Sequence, residues 1–183
     1  MNKSFTLKSS LLVCAMLALP VAQAAAMSKD EHKAGKDRIE AEYKADKAAC
    51  DSLARNAKDI CQEEAKGKEK VAKAELEYAY TGKPDDANKV LKTRAEATYA
   101  IAKERCDDKA GNDKDVCVKE AKAAETKALA DIKLGKKVGE ARNDAADDKR
   151  NAEYKVAAEK CEALAGDAKS SCIANAKATY GKS

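Results

Sequence analysis

The chain has 183 residues, with 36 basic and 32 acidic side chains, 44% apolar residues, 4% aromatic residues and no tryptophan. Near-balanced charge without a basic block argues against nucleic acid as a partner, because a phosphate-binding face needs a clustered basic excess. So few large apolar side chains bring the chain close to the disordered class and leave little material for the walls of a catalytic pocket.

The first two dozen residues read as an export signal, cleaved near Ala24. Lys3 and Lys8 supply positive charge, Leu11 to Leu19 form a short apolar core, and Ala22-Gln23-Ala24 is an A-x-A site. Cys14 falls inside this segment, where Val13 is too bulky for a lipidation box. The apolar run is too short to span a bilayer, which takes about 20 residues, and no later segment is long or apolar enough. Cleavage would remove two lysines and no acid, leaving 34 basic against 32 acidic residues. Residues 25 to 37 form a polar lead-in with the chain's single histidine, His32, expected as an exposed bystander that cannot by itself make a triad or a metal cluster.

From there the chain repeats itself. Cys50/Cys61, Cys106/Cys117 and Cys161/Cys172 share one spacing, and aligning on them gives periods of 56 and then 55 residues. The copies cover 38 to 93, 94 to 148 and, in part, 149 to 183. Each carries a tyrosine seven positions before its first cysteine (Tyr43, Tyr99, Tyr154) and an acid just after it (Asp51, Asp107, Glu162). The tyrosines are expected to pack beside the bridge over small residues of the facing arm, such as Ala124 and Thr179.

Apolar residues recur at helical spacing before the turn, as in Leu91, Ala95, Tyr99, Ala102 and Cys106, and again after it, as in Cys117, Ala121, Ala124, Ala128 and Ile132. In one unbroken helix, residues eleven apart stand roughly 16 Å apart along the axis. A disulfide needs Cα atoms within about 7 Å, so each bonded pair demands a hairpin. Gly111 and Gly166 supply the bend at two of them, with Asn112 and Asp167 as expected N-caps. Arg55 holds the corresponding place in the first copy, followed by Asn56, and a left-handed arginine there costs about 1 kcal/mol. At the other end of the arms, Thr81-Gly82-Lys83-Pro84 and Leu134-Gly135-Lys136-Lys137-Val138-Gly139 read as breaks. The expected fold is therefore all-α: tandem disulfide-stapled antiparallel hairpins in an up-and-down bundle or an elongated array. Six helices are expected, near 28 to 54, 56 to 80, 85 to 110, 112 to 133, 138 to 165 and 167 to 181. An up-and-down order places all three stapled turns at one end.

The regular pairs point to three structural disulfides. A redox centre would want C-x-x-C, and zinc would want ligands two to four residues apart. No phosphate loop, nucleophile elbow or haem-attachment motif is present, so neither a cofactor nor an enzymatic activity is expected. Lys58, Lys114 and Lys169 occupy equivalent places in the three turns and are the candidate docking residues, since repetition at one end of a rigid body makes a multivalent surface.

This combination of a signal, an Ala/Lys/Glu-rich helical body and C-x10-C hairpins resembles uncharacterised exported proteins of Gram-negative bacteria. Runs such as Glu64 to Glu77 are similar in composition to the helical tether of the envelope protein TolA, which lacks such hairpins. The resemblance implies a periplasmic home and other envelope proteins as partners. The expected role is a non-enzymatic envelope interaction or spacer module. The rival roles are a stress protectant, since Ala121 to Lys133 resembles late-embryogenesis-abundant proteins in composition, and a holdase chaperone.

Overall fold

A computed structural model describes residues 27–182; the expected export signal, with Cys14, lies outside the described residues. The first helix opens on a capping box. The Ser28 hydroxyl accepts the Glu31 amide at 3.2 Å, and the Glu31 carboxylate accepts the Ser28 amide at 2.7 Å. These bonds hold the Glu31 carboxyl below the usual carboxylate range. The helices are α1 (Lys29–Ala49), α2 (Asn56–Thr81), α3 (Pro84–Cys106), α4 (Gly111–Cys161) and α5 (Gly166–Tyr180), with one 3-10 turn at Cys50–Ser52. From Lys29 onward the lead-in is thus the first part of α1.

Each hairpin is closed as the cysteine spacing demands. Cys50–Cys61, Cys106–Cys117 and Cys161–Cys172 are bonded, with Cα separations of 5.6, 5.7 and 5.7 Å. Regular helix stops at or beside the first cysteine, four to five residues earlier than periodicity suggests, and a short loop crosses to the next arm. All three loops end on a residue with positive φ: Arg55 at 54°, Gly111 at 56° and Gly166 at 57°. Arg55 has ψ −145°, outside the left-handed helical well and in a region that glycine almost alone occupies. The expected caps are not used as caps. Ala110 and Ala165 precede α4 and α5 with no side-chain bond to the helix start, and the Asn56 amide donates instead to the Glu104 carbonyl on α3, at 2.9 Å.

At the opposite end, α2 stops on Gly82 at φ 63° and α3 starts with Pro84 in its first turn, as expected. The second expected break is overturned. Leu134 to Gly139 lie inside α4, one continuous helix of 51 residues, so the described residues form five α-helices rather than the six expected. Neither Gly135 nor Gly139 has a positive φ, and Gly135-Lys136-Lys137 carries no proline to deny the helix an amide.

This continuity decides the architecture. Among the described residues α1 packs on α2, α2 on α3, α3 on α4 and α4 on α5, with no other helix pair in contact, so the hairpins form an array and not a closed bundle. Lys136 of α4 bonds Asp85 at the start of α3 at 2.7 Å, which marks where α4 draws level with the α2–α3 turn. Beyond that point α4 runs on for 25 residues, or about 37 Å at 1.5 Å per residue. The first two stapled turns therefore share an end, while the third lies far out at the other.

Little apolar area holds this together. The fully buried side chains are Cys50, Cys106 and Cys161, and Ile39, Leu76, Val90 and a few alanines complete the core. Small residues compensate by close approach. Gly35 sits beneath Leu76, and a Cβ placed on Gly67 of α2 would stand 3.1 Å from the Ala97 methyl of α3.

Two expectations follow. Arg55→Gly removes a strained conformation and raises the urea midpoint by an amount equivalent to about 1 kcal/mol or more, whereas Gly111→Ala lowers it. The Gly135→Ala/Gly139→Ala double variant, at helical positions open to solvent, raises thermal stability by about 1 kcal/mol per site, where a true turn would lose stability.

Candidate functional site

The candidate site is the stapled turn, and its three copies share one design. The first cysteine closes its helix and is buried, at 0, 0 and 1% exposure for Cys50, Cys106 and Cys161. The acid that follows it receives a lysine from the next arm: Lys58–Asp51 at 2.9 Å, Lys114–Asp107 at 2.9 Å and Lys169–Glu162 at 2.7 Å. The candidate docking lysines thus bridge their own loops, seven residues back. Being partly exposed, these ion pairs orient the loop more than they stabilise it.

The three lysines do not form one surface. Lys58 and Lys114 lie at the shared end and Lys169 at the far end, so the single trivalent patch that an up-and-down order implied is not built. What two of the crowns expose instead is leucine: Leu53 is 42% and Leu164 44% accessible, each three residues after its first cysteine. This leucine was legible in the sequence as a shared position, although Lys109 replaces it in the second copy.

At Tyr99 the facing arm supplies a charged side chain. The Lys122 ammonium stands 4.9 Å above the Tyr99 ring centre and donates to Glu125 at 2.6 Å. That bond to Glu125, a buried carboxylate, raises the Lys122 ammonium above its usual range. Lys66 is raised in the same way by Glu63.

His32 is not the exposed bystander expected. Its side chain is 12% accessible, its ring stacks on Tyr80 at 4.3 Å and 8°, and Nε2 lies 3.2 Å from the Glu77 carboxylate, though out of line for a hydrogen bond. Tyr80 is half-buried by this stack. The contact joins the start of α1 to the end of α2 and had no local signal, since its partners are 45 and 48 residues apart. One carboxylate, one imidazole and one phenol clamp two helix ends; no nucleophile completes a relay among them.

Open grooves follow the helix seams. One, about 740 Å³ between α1, α2 and α3, is walled by Lys36, Lys70, Lys73 and Lys89 interleaved with Glu40 and Glu77, which makes it a solvated charged face. A smaller one, about 540 Å³ between α3 and α4, is lined by Leu129, Ile132 and lysine stems. Among the described residues no three His, Cys, Asp or Glu side chains converge as metal ligands, and no helix is long and apolar enough to cross a membrane. Comparison with protein-family models, with curated proteins and with solved structures finds no match to this chain.

The hairpins differ in how much they need their staples. Each closes a short loop, equivalent to about 3 kcal/mol by chain entropy. Beyond Cys161 the described residues of the third hairpin bury only Ala176. In Cys161→Ser/Cys172→Ser, α5 is expected to detach while α1 to α3 persist, seen as amide exchange protection lost in 162–182 alone. Cys50→Ser/Cys61→Ser instead lowers the stability of α1 and α2 without releasing α2 from α3.

Proposed function

We propose that this chain is a non-enzymatic helical spacer of the bacterial cell envelope, exported to the periplasm and holding partners apart at its two ends. One observation carries the reading: a 51-residue helix separates a double stapled end from a single one, each capped by an exposed leucine crown. Rigid length is what a spacer needs, and the disulfides supply rigidity where a hydrophobic core does not. They also suit an oxidising compartment, which agrees with the export signal expected in the first residues. A protectant that works without a fixed fold has no use for three matched staples.

The test is residue-specific photo-crosslinking in intact cells, with the probe at Leu53 or at Leu164. A spacer yields discrete and different adducts from the two positions. A diffuse smear or no adduct from both, together with a helical circular dichroism signal that vanishes on mild warming of the oxidised protein, overturns the reading in favour of a protectant.

A further inference from the structure

The faces of α2 and α3 that pack together recur on α4, where they are unoccupied. Across the α2–α3 seam, Glu64 pairs with Arg105 at 2.6 Å and Glu75 with Arg94, while Gly67 receives Ala97 and Ile101. The repeat places Glu120, Asp131 and Ala123 at the corresponding positions of the first half of α4. It places Lys160, Lys149, Ala152 and Val156 at those of the second half. Acid still meets base and small still meets apolar. Every one of these α4 residues is exposed, whereas the flanks of α4 that face α3 and α5 carry Glu125, Leu129, Ala157 and Cys161 at least half-buried.

Within one straight helix the two halves cannot meet. Between two antiparallel helices they can, in one register. Glu120 and Lys160 lie 20 positions either side of residue 140, and Asp131 and Lys149 lie nine either side. Lys127 and Glu153, thirteen either side, add a further opposite pair. The exposed large apolar residues of α4 agree independently. Val116, Leu134, Val138 and Val156 are 44, 62, 40 and 56% accessible. At 3.6 residues per turn they fall within about 40° of one line along the helix.

We infer that two copies of this chain pair through α4, antiparallel about a twofold axis beside residue 140, each first half receiving the partner's second half as α2 receives α3. The contact is isologous, so every pair occurs twice and the assembly closes. The partner is a second copy because both complementary surfaces belong to this helix, and the inference stands whatever the ends of the rod bind.

Mixing charge-reversed variants tests it. Glu120→Lys/Asp131→Lys and Lys149→Glu/Lys160→Glu each set like charges across the seam. By sedimentation equilibrium each should dimerise at least about tenfold more weakly than the native chain. Mixed one to one, they should restore a heterodimer near native affinity, because every reversed residue then meets its opposite. All four sites are exposed, so the variants should retain the native helical signal. A native chain that stays at single-chain mass, a dimer indifferent to both reversals, or a mixture that stays monomeric would overturn the inference. The first and last would also be the result if α4 instead folded on itself at Gly135 to Gly139.

Discussion

The bond from a helix-ending cysteine to the next arm is what the remaining structure depends on. Cys50, Cys106 and Cys161 are the fully buried side chains, so the sulfurs act as the core as well as the crosslink. Burying a half-cystine costs little side-chain entropy and shortens the unfolded loop, which suits a chain with few leucines and isoleucines. The staple also sets helix length. Each helix unwinds at the bonded cysteine because the loop must reach back across about 6 Å, the Cα separation such a bond tolerates. Arg55, Gly111 and Gly166 then take the positive φ that turns the chain, and in the first hairpin a strained arginine is tolerated because the bond over-determines the loop.

With hairpins so clamped, packing between them needs only close approach. Gly35 under Leu76 and Gly67 against Ala97 bring backbones together where larger side chains would hold them apart. Ion pairs such as Glu64–Arg105 line the rim of the seam, and their exposure limits what each contributes. Their value is register, since opposite charges at fixed intervals penalise a slipped alignment. The same intervals on α4 become a dimer code if a second copy supplies the missing side.

The long helix makes a rod of what would otherwise be a bundle. Asp85 and Lys136 are tied where α4 leaves α3. The bond between them lowers the Asp85 carboxyl and raises the Lys136 ammonium, so the tie is present at neutral pH. It is lost as pH falls through the depressed carboxyl value or rises through the elevated ammonium value. From there to the third hairpin α4 is solvated on all sides. An unpaired helix of that length is marginal alone, and pairing through its exposed apolar line would relieve this while leaving both ends free for partners.

Much of the fold was legible in the residues themselves. Three equal cysteine spacings forced three hairpins by distance alone, helical periodicity named the arms, and Gly82 with Pro84 marked a genuine break. The lysine of each turn was visible as a repeat, but not that it folds back onto its own acid, because Lys58–Asp51 and its two counterparts form only once the loop is closed. Ser28 and Glu31, three residues apart, carry a local capping signal for the start of α1. Glycines at 135 and 139 are compatible with both a turn and a helix interior, and α4 runs straight through them with nothing packed on either. His32 found Tyr80 and Glu77 only through the packing of α1 on α2. What the sequence by itself determined is the hairpin, a matter of covalent reach and local backbone preference. What only the tertiary structure decided is where α4 leaves the array, which separates the turns between two ends, because that depends on which distant faces find partners.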